Sequence, residues 1–334
     1  MRRALGFVFD IDGVLLRGKV ALPSATASLQ RLGRARVPYI FLTNGGGETE
    51  KSKAASLSRL LGVPVHEEQL VLSHTPMKPL CADLADRRVL LLGCRDVRAV
   101  AASYGLQSVV TPEDLLAADE HVYPFLKASS PRALGKETFA AVLCFHDPNS
   151  WGLELQCTLD VLRGGGDGTK QVVPMFASNG DLTFAGAHAV PRLAAGSFHV
   201  ALQALWQATV STDPLEITMF GKPTAATFSF ARTQLSRWAS FADAHNVHAD
   251  IAAGALANVA PSHTGVSHTA ATAFEKIIMV GDNPLADIRG ANSAGAPWVS
   301  VLVRSGMWKG ALNDEENPAQ VVVGGVADAV GKFL

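Results

Sequence analysis

The chain of 334 residues has little of what marks several broad protein classes. It has no surplus of either charge, with 29 Lys and Arg against 30 Asp and Glu and a formal net charge of −1. A nucleic-acid or anionic-membrane footprint needs a basic surplus, so neither partner is expected. It has only four cysteines, Cys81, Cys94, Cys144 and Cys157, and no CxxC pair. Their spacing excludes a disulfide scaffold and a cysteine-only zinc module, and implies buried free thiols in a reducing compartment. An unbroken apolar run of membrane-spanning length is missing. Ile251 to Phe274 carries no Asp, Glu, Lys or Arg, but Pro261, Gly265, His263 and His268 interrupt it, so a loop or poor helix is expected there. Leu5 to Phe9 already leads into a strand-like pattern, so no targeting segment is expected. The cytoplasm is the expected compartment, with mitochondria the alternative if a presequence has been removed. GxxxxGK[ST], GxSxG and a GxGxxG after the first strand are all missing, which removes the usual nucleotide and serine-hydrolase signatures.

What is present supports a large core: 48% of residues are hydrophobic and 18% charged, in a length suited to one large or two medium domains. Short apolar runs alternate with amphipathic stretches. GFVFDID, VPYIFLTN, RVLLLG, FAAVLCF, VVPMFAS, EITMFG, KIIMVGD and WVSVLV read as strands. Ser24 to Arg36, with Ser24 as N-cap, Glu48 to Leu61, Asp96 to Tyr104, Phe198 to Thr209 and Thr224 to Ala242 read as helices. The alternation predicts an α/β fold with a doubly wound parallel sheet. Ala242 to Thr272, rich in Ala, His, Ser and Thr, reads as an inserted loop, and its His245, His248, His263 and His268 as solvent histidines rather than metal ligands.

Four places carry chemistry. FVFDIDGVLL ends an apolar strand in Asp10 and Asp12. Ligands of open α/β sheets sit beyond the carboxyl ends of strands, and two carboxylates there repel unless a cation or proton lies between them. An EF-hand is excluded, because Leu15 stands at its glycine position and Ala21 at its final Glu; the Asp-x-Asp of a glycosyl-transfer enzyme stays open on this motif alone. YIFLTNGGGETE ends a second strand in Thr43, followed by Asn44 and Gly45, whose backbone amides suit an anion, though a capped glycine turn has the same pattern. FGKP holds Lys222 between Gly221 and Pro223. KIIMVGDNPLADIRGAN ends a strand in Asp282, with Asn283 as N-cap, Pro284 at the first helical position and Asp287 facing back toward the strand end. Acids, a Thr, a Lys and two more acids, each after a hydrophobic run, suit metal-assisted phosphoryl transfer through an aspartyl-phosphate.

In these motifs the sequence resembles the haloacid dehalogenase (HAD) superfamily, and the long gap between Thr43 and Lys222 resembles its subfamily IIA. LTNGGG, LSHTP and GDNPLADIRGAN followed by SVLVRSG resemble, within it, the cat eye syndrome critical region protein 5 branch. The resemblance implies a Rossmannoid catalytic core of residues 1–75 and 194–334 and an inserted α/β C2-type cap of residues 76–193. It implies Asp10 as nucleophile, Asp12 as general acid and base, and Thr43 with the amides of Asn44 and Gly45 as the phosphoryl cradle. Lys222 would neutralise charge. Mg²⁺ would be held by Asp10, Asp12 through its main-chain carbonyl, and Asp282, with Asp287 ligating or one step removed. Asn179, Asp181 and Arg192 of the cap would read the leaving group; for the first two an Asx turn is the plain alternative. The implied activity is hydrolysis of a small phosphomonoester, with a homodimer through the cap. A phosphomutase or phosphotransferase on the same site, or a silent HAD-fold binding protein, are the alternatives.

Overall fold

The computed structural model describes every residue except 1, 128–130, 132, 136, 165–167, 185–187 and 255–271. The strands of its two larger sheets are β1 (Arg2–Phe9), β2 (Tyr39–Leu42), β3 (Leu70–Val71), β4 (Val89–Leu92), β5 (Val109–Val110), β6 (Ala141–Cys144), β7 (Met175–Ala177), β8 (Ile217–Met219), β9 (Ala273–Gly281), β10 (Trp298–Val303) and β11 (Val321–Val323). The chain divides into two compact units. One comprises Met1–Thr43, Glu50–Leu72 and Lys222–Leu334, the other Asn44–Thr49 and Ser73–Gly221.

The first unit holds a parallel six-stranded sheet in the order β11-β10-β9-β1-β2-β3. β1 lies at its centre, and Phe7, Val8 and Phe9 are all buried, as are all four residues of β2. Consecutive buried residues mark strands covered on both faces, which is why these runs are continuous rather than alternating. From β1 the chain proceeds to β2 and β3 on one side and later returns through β9 to β11 on the other. The switch point therefore lies at β1 and β9, beyond whose carboxyl ends a doubly wound sheet leaves its crevice. The helix Ala25–Arg34 buries Ala25, Ser28, Leu29, Leu32 and Gly33, the spacing of one helical face. Ser24 does not cap it by its side chain: it sits at φ 68°, not in the extended conformation from which an N-cap side chain reaches the first turn.

The second unit holds a parallel five-stranded sheet in the order β8-β7-β6-β4-β5. Leu90 and Leu92 pack on one face with Val142, Met175 and Trp206, while Val89 and Leu91 pack on the other with Ala141, Leu143 and Phe145. The period of two sends neighbours to opposite faces, and both faces are apolar. Residues 194–221 belong here and not to the core, which corrects the expected boundary. β8 pairs with β7 from Ile217↔Met175 to Met219↔Ala177, and Phe198, Leu202 and Trp206 of the helix Ala195–Thr209 complete this unit's apolar core.

Cys81, Cys144 and Cys157 are buried free thiols as expected, whereas Cys94 is half-buried. The Ala/His-rich segment is not wholly a loop. The helix Ala225–Ala244 runs into it and a further helix, Val247–Ala253, follows. His245 is exposed, stacked on Phe241 at 4.2 Å between centroids, but His248 is buried, with Nε2 3.5 Å from Asp243 Oδ1. His263 and His268 lie outside the described residues. Among the described residues no helix is long and apolar enough to cross a membrane.

Glu154, in the helix Trp151–Leu162, accepts the Ser150 backbone N–H at 2.6 Å. Burial, reinforced by Glu113, pushes its carboxyl up to about 7. The folded unit thus binds a proton that the unfolded chain releases near pH 4.5, so this contribution to stability is complete below that pH and lost as pH rises through about 7. Thermal melts of wild type and Glu154→Gln between pH 5 and 8 should diverge, the wild type losing up to about 1.4 kcal/mol per pH unit more than the variant. Parallel profiles would show that the carboxyl is ionised throughout.

Candidate active site

Three neighbouring strands of the first unit end in the predicted residues: β9 in Asp282, β1 in Asp10 and β2 in Thr43. The Asp10 N–H still bonds Val280 O at 2.9 Å and the Thr43 N–H bonds Val71 O at 3.1 Å, so the ladders hold both residues at the sheet's rim. Lys222 comes from elsewhere. It follows β8, a strand of the second sheet, and Gly221, at φ 77°, turns the chain into it.

Lys222 Nζ donates to Asp10 Oδ1 and to Asp287 Oδ1, both at 2.7 Å. All three residues are buried, at 4% exposure for Lys222, 8% for Asp10 and none for Asp287. The other Asp287 oxygen accepts the backbone N–H groups of Asp282 (3.1 Å) and Asn283 (3.0 Å). Asp287 therefore ties the β9 loop to the lysine. It reaches back because Pro284–Ile288 forms a π-helical turn, capped by Asn283, whose Oδ1 accepts Leu285 N–H at 3.0 Å. Gly281 leaves room for it: a Cβ there would fall against the Asp287 carboxyl. This is the capped turn the sequence predicts, with the acid facing back toward the strand end.

Asp10, Asp282 and Asp287 each bring one oxygen within 4.8 Å of the others, an arrangement able to hold a metal ion. The Asp12 carboxyl stands outside this cluster and is exposed. Burial raises Asp10 well above the usual carboxylate range, against the pull of Lys222 and with the push of Asp287 and Asp282. Burial, aided by Asp287, pushes Asp282 up to about 6. Burial disfavours the Lys222 ammonium, but the two carboxylates outweigh it and raise the group above its ordinary value. Three ionised acids facing one ammonium leave two negative charges, which a bound divalent cation would balance.

Contacts around Asp282 were not foreseen from sequence. Its Oδ2 accepts the Met307 N–H, and Gly13 and Gly306 both press so close that a Cβ on either would overlap the carboxyl. Ser305 Oγ donates to Gly13 O at 2.6 Å, joining the loop after β10 to the Asp12–Gly13 turn. The sequence sign is a Ser-Gly pair one residue beyond a strand, which many turns share.

In the second unit, Asn44 Nδ2 donates to both Asp181 oxygens at 3.2 and 3.1 Å, and Asn179 Nδ2 donates to Asn44 O at 3.2 Å. Asn179 Oδ1 also accepts the Asp181 N–H at 3.1 Å, so the Asx turn is real and the pair holds the residue next to Thr43 as well. Arg192 does not join them. It is exposed, and its Nε donates to the Val190 and Pro191 carbonyls at 3.2 Å.

Comparison with known proteins agrees with this geometry. Residues 7–107 match the family described as haloacid dehalogenase-like hydrolase, and residues 219–329 match the related HAD-hydrolase-like description. A mitochondrial hydrolase of Saccharomyces cerevisiae is 33% identical over 351 aligned positions, covering 99% of this chain and 96% of that protein. The glycerol-3-phosphate phosphatase of Mus musculus is 33% identical over 121 positions, covering 34% of this chain and 37% of that protein. Among solved structures, the glycerol phosphate phosphatase of Mycobacterium tuberculosis in complex with magnesium shares the fold, with a TM-score of 0.62 at 18% identity, covering 97% of this chain and 75% of that one. Identity sustained over almost the full length, on a sheet whose strand ends carry these acids, makes this chain a hydrolase of the haloacid dehalogenase-like family.

Proposed function

We propose that the chain is a Mg²⁺-dependent phosphomonoester hydrolase working through an aspartyl-phosphate on Asp10. The buried Asp10–Lys222–Asp287 array beside Asp282 carries this reading, because three acids, once ionised, around one ammonium would leave two negative charges for a divalent cation to balance. The three acids of the cluster offer carboxylate oxygens, the hard donors magnesium prefers. Asp10 and Asp282, with the Asp12 carbonyl, would hold the ion, which when bound supplies charge neutralisation to the phosphoryl oxygens.

Lys222 engages Asp10 Oδ1, which leaves Oδ2 to form the bond to phosphorus. As that bond forms, the bond to the leaving alcohol oxygen breaks and Asp12 delivers a proton to it. Water then attacks phosphorus, Asp12 takes its proton, and inorganic phosphate leaves Asp10 free. Lys222 favours the ionised form of Asp10, opposing the burial and the neighbouring acids that raise it. The Thr43 hydroxyl and the Asn44 and Gly45 amides would cradle the phosphoryl oxygens. The Asn44 side chain is engaged by Asp181, so its part in this cradle is through the backbone. The phosphatase named among the relatives supports the same substrate class. The yeast relative is named as mitochondrial, which supports the mitochondrial alternative for this chain.

Hydrolysis of 4-nitrophenyl phosphate, with Mg²⁺ and after chelation, tests the reading. Turnover is expected with the metal and not without it. A folded protein that binds Mg²⁺ yet releases no phosphate from this or a metabolite phosphate panel would overturn it.

A further inference from the structure

The glycine loop that follows Thr43 is held by its carbonyls. Asn44 O accepts from Asn179 Nδ2 at 3.2 Å, Gly45 O from the Ser73 N–H at 3.2 Å, Gly46 O from Arg95 Nη1 at 3.3 Å and Gly47 O from the Asp96 N–H at 2.9 Å. Four successive carbonyls are thus bonded by donors of one compact unit, the unit to which Asn44–Thr49 itself belongs. Arg95 and Asp96 follow β4 and Asn179 follows β7, so these donors come from the carboxyl ends of that unit's parallel sheet. The close fit needs glycine. A Cβ on Gly46 would stand 2.6 Å from Ser73 Oγ, and one on Gly47, at φ 78°, would fall on the His146 ring.

A planar trans peptide sets each carbonyl opposite the next residue's N–H, and the peptides of this loop are trans. Fixing Asn44 O therefore fixes the direction of the Gly45 N–H, and fixing Gly45 O that of the Gly46 N–H. An amide aimed in advance stabilises an anion without having to reorient when it arrives. The Asn44–Gly45 peptide is held by side chains. Asn179 is buried at 4% exposure, and each end of its amide meets its complement: Nδ2 donates to Asn44 O, and Oδ1 accepts the Asp181 N–H. Asp181 accepts Asn44 Nδ2 on both carboxylate oxygens. Its own carbonyl accepts the Gly196 N–H at 2.9 Å, at the start of the helix Ala195–Thr209. Asn44 is thus gripped at its carbonyl and at its side chain by a turn that is itself anchored to a helix.

We propose that Asn179 and Asp181 are positioning residues for the phosphoryl cradle: they hold the Asn44–Gly45 peptide so that the Gly45 N–H is aimed before the phosphoryl binds. They act on the phosphoryl group, which every substrate shares, and not on the leaving group, the role that the family resemblance implies for them. This rests on the phosphatase reading for what the cradle holds. The sign of the effect sets it apart from plain electrostatics. Asp181→Ala deletes a negative charge, which by charge alone favours a bound anion, whereas loss of the aimed amide weakens it.

Calorimetry of inorganic phosphate binding, in the presence of Mg²⁺, reads the cradle apart from turnover. Asn179→Ala and Asp181→Ala should each weaken phosphate about tenfold, the scale of one charge-assisted hydrogen bond. Asp181→Asn keeps an acceptor for Asn44 Nδ2 and should return to within about threefold of wild type. In turnover, kcat/KM should fall by the same factor for 4-nitrophenyl phosphate and propyl phosphate, because the leaving groups differ and the phosphoryl does not. Where circular dichroism shows that an alanine variant lacks the native fold, Asp181→Glu, which displaces the carboxylate by one methylene, replaces it and should weaken phosphate in the same direction. Unchanged or tighter phosphate binding in folded variants, or a loss differing by more than about tenfold between the two esters, would overturn the positioning role. Weakened phosphate binding in the variants with no metal-dependent hydrolysis of either ester by wild type would instead overturn the phosphatase reading alone. A wild type that binds no phosphate would overturn both.

Discussion

Asp10→Asn is expected to lower kcat for any substrate the wild type hydrolyses by about 10⁵-fold, on the scale seen when a covalent nucleophile is removed. The same change should leave the metal-free protein as stable as wild type or slightly more so. Burial and two neighbouring acids already work against a charge at Asp10, and an amide relieves them while still accepting a hydrogen bond from Lys222. Activity and stability thus move independently, which separates chemical loss from misfolding. Rapid acid quenching of wild type with a ³²P-labelled substrate should trap label on the protein, and the variant should trap none. Residual turnover within tenfold of wild type would show that Asp10 does not form the covalent bond.

The largest structural effect is expected at Lys222. Lys222→Met removes the cation that bonds both Asp10 and Asp287 in a buried place. Breaking a buried ion pair from one side typically costs about 3–5 kcal/mol, because the remaining charges keep their desolvation penalty and lose their compensation. Here two carboxylates lose one partner, so the upper end applies, and turnover should vanish with it. The sign of the metal effect is diagnostic. With the ammonium gone, the cluster carries three negative charges rather than two, so Mg²⁺ should raise the melting temperature of the variant more than that of the wild type. A variant as stable as wild type without metal would mean that the acids are neutral in the folded state and that the charge count is wrong.

Much of this site is legible in the chain because strand ends are local features. An apolar run fixes where a strand lies, and its last residue fixes what is presented at the rim. Asp10, Thr43 and Asp282 could be named from that rule, and Asn283, Pro284 and Asp287 from the requirements of a helix start. Lys222 was named on the same rule and reaches the site by a different route. Its preceding strand pairs with Met175–Ala177 in the other sheet, a choice between two parallel sheets that a three-residue run of apolar character does not encode. The boundary expected at residue 194 failed for the same reason, since strand pairing partners are not a property of either strand alone.

The contacts that give each acid its role are further from view. The sequence places Asp287 facing back toward the strand end, but not that its oxygens are divided between the lysine and two backbone amides. Asp282 is gripped by Gly13, Gly306 and the Met307 N–H, from segments that close only once the sheet is assembled. Arg95 and His146 show no motif at all. They meet the glycine loop because two strands of the second sheet, β4 and β6, are neighbours and end together.

The sequence by itself determined the α/β class, the parallel sheet of buried strands and the acids, threonine and lysine available for chemistry, since hydrophobic period and residue type at a strand end act over a few residues. Only the tertiary structure decided how those charges compensate one another. Burial, ion pairing and the absence of a Cβ at Gly13, Gly281 and Gly306 depend on what residues far apart in the chain bring to the same few ångströms, and they turn four scattered carboxylates into three around one ammonium and one left in solvent.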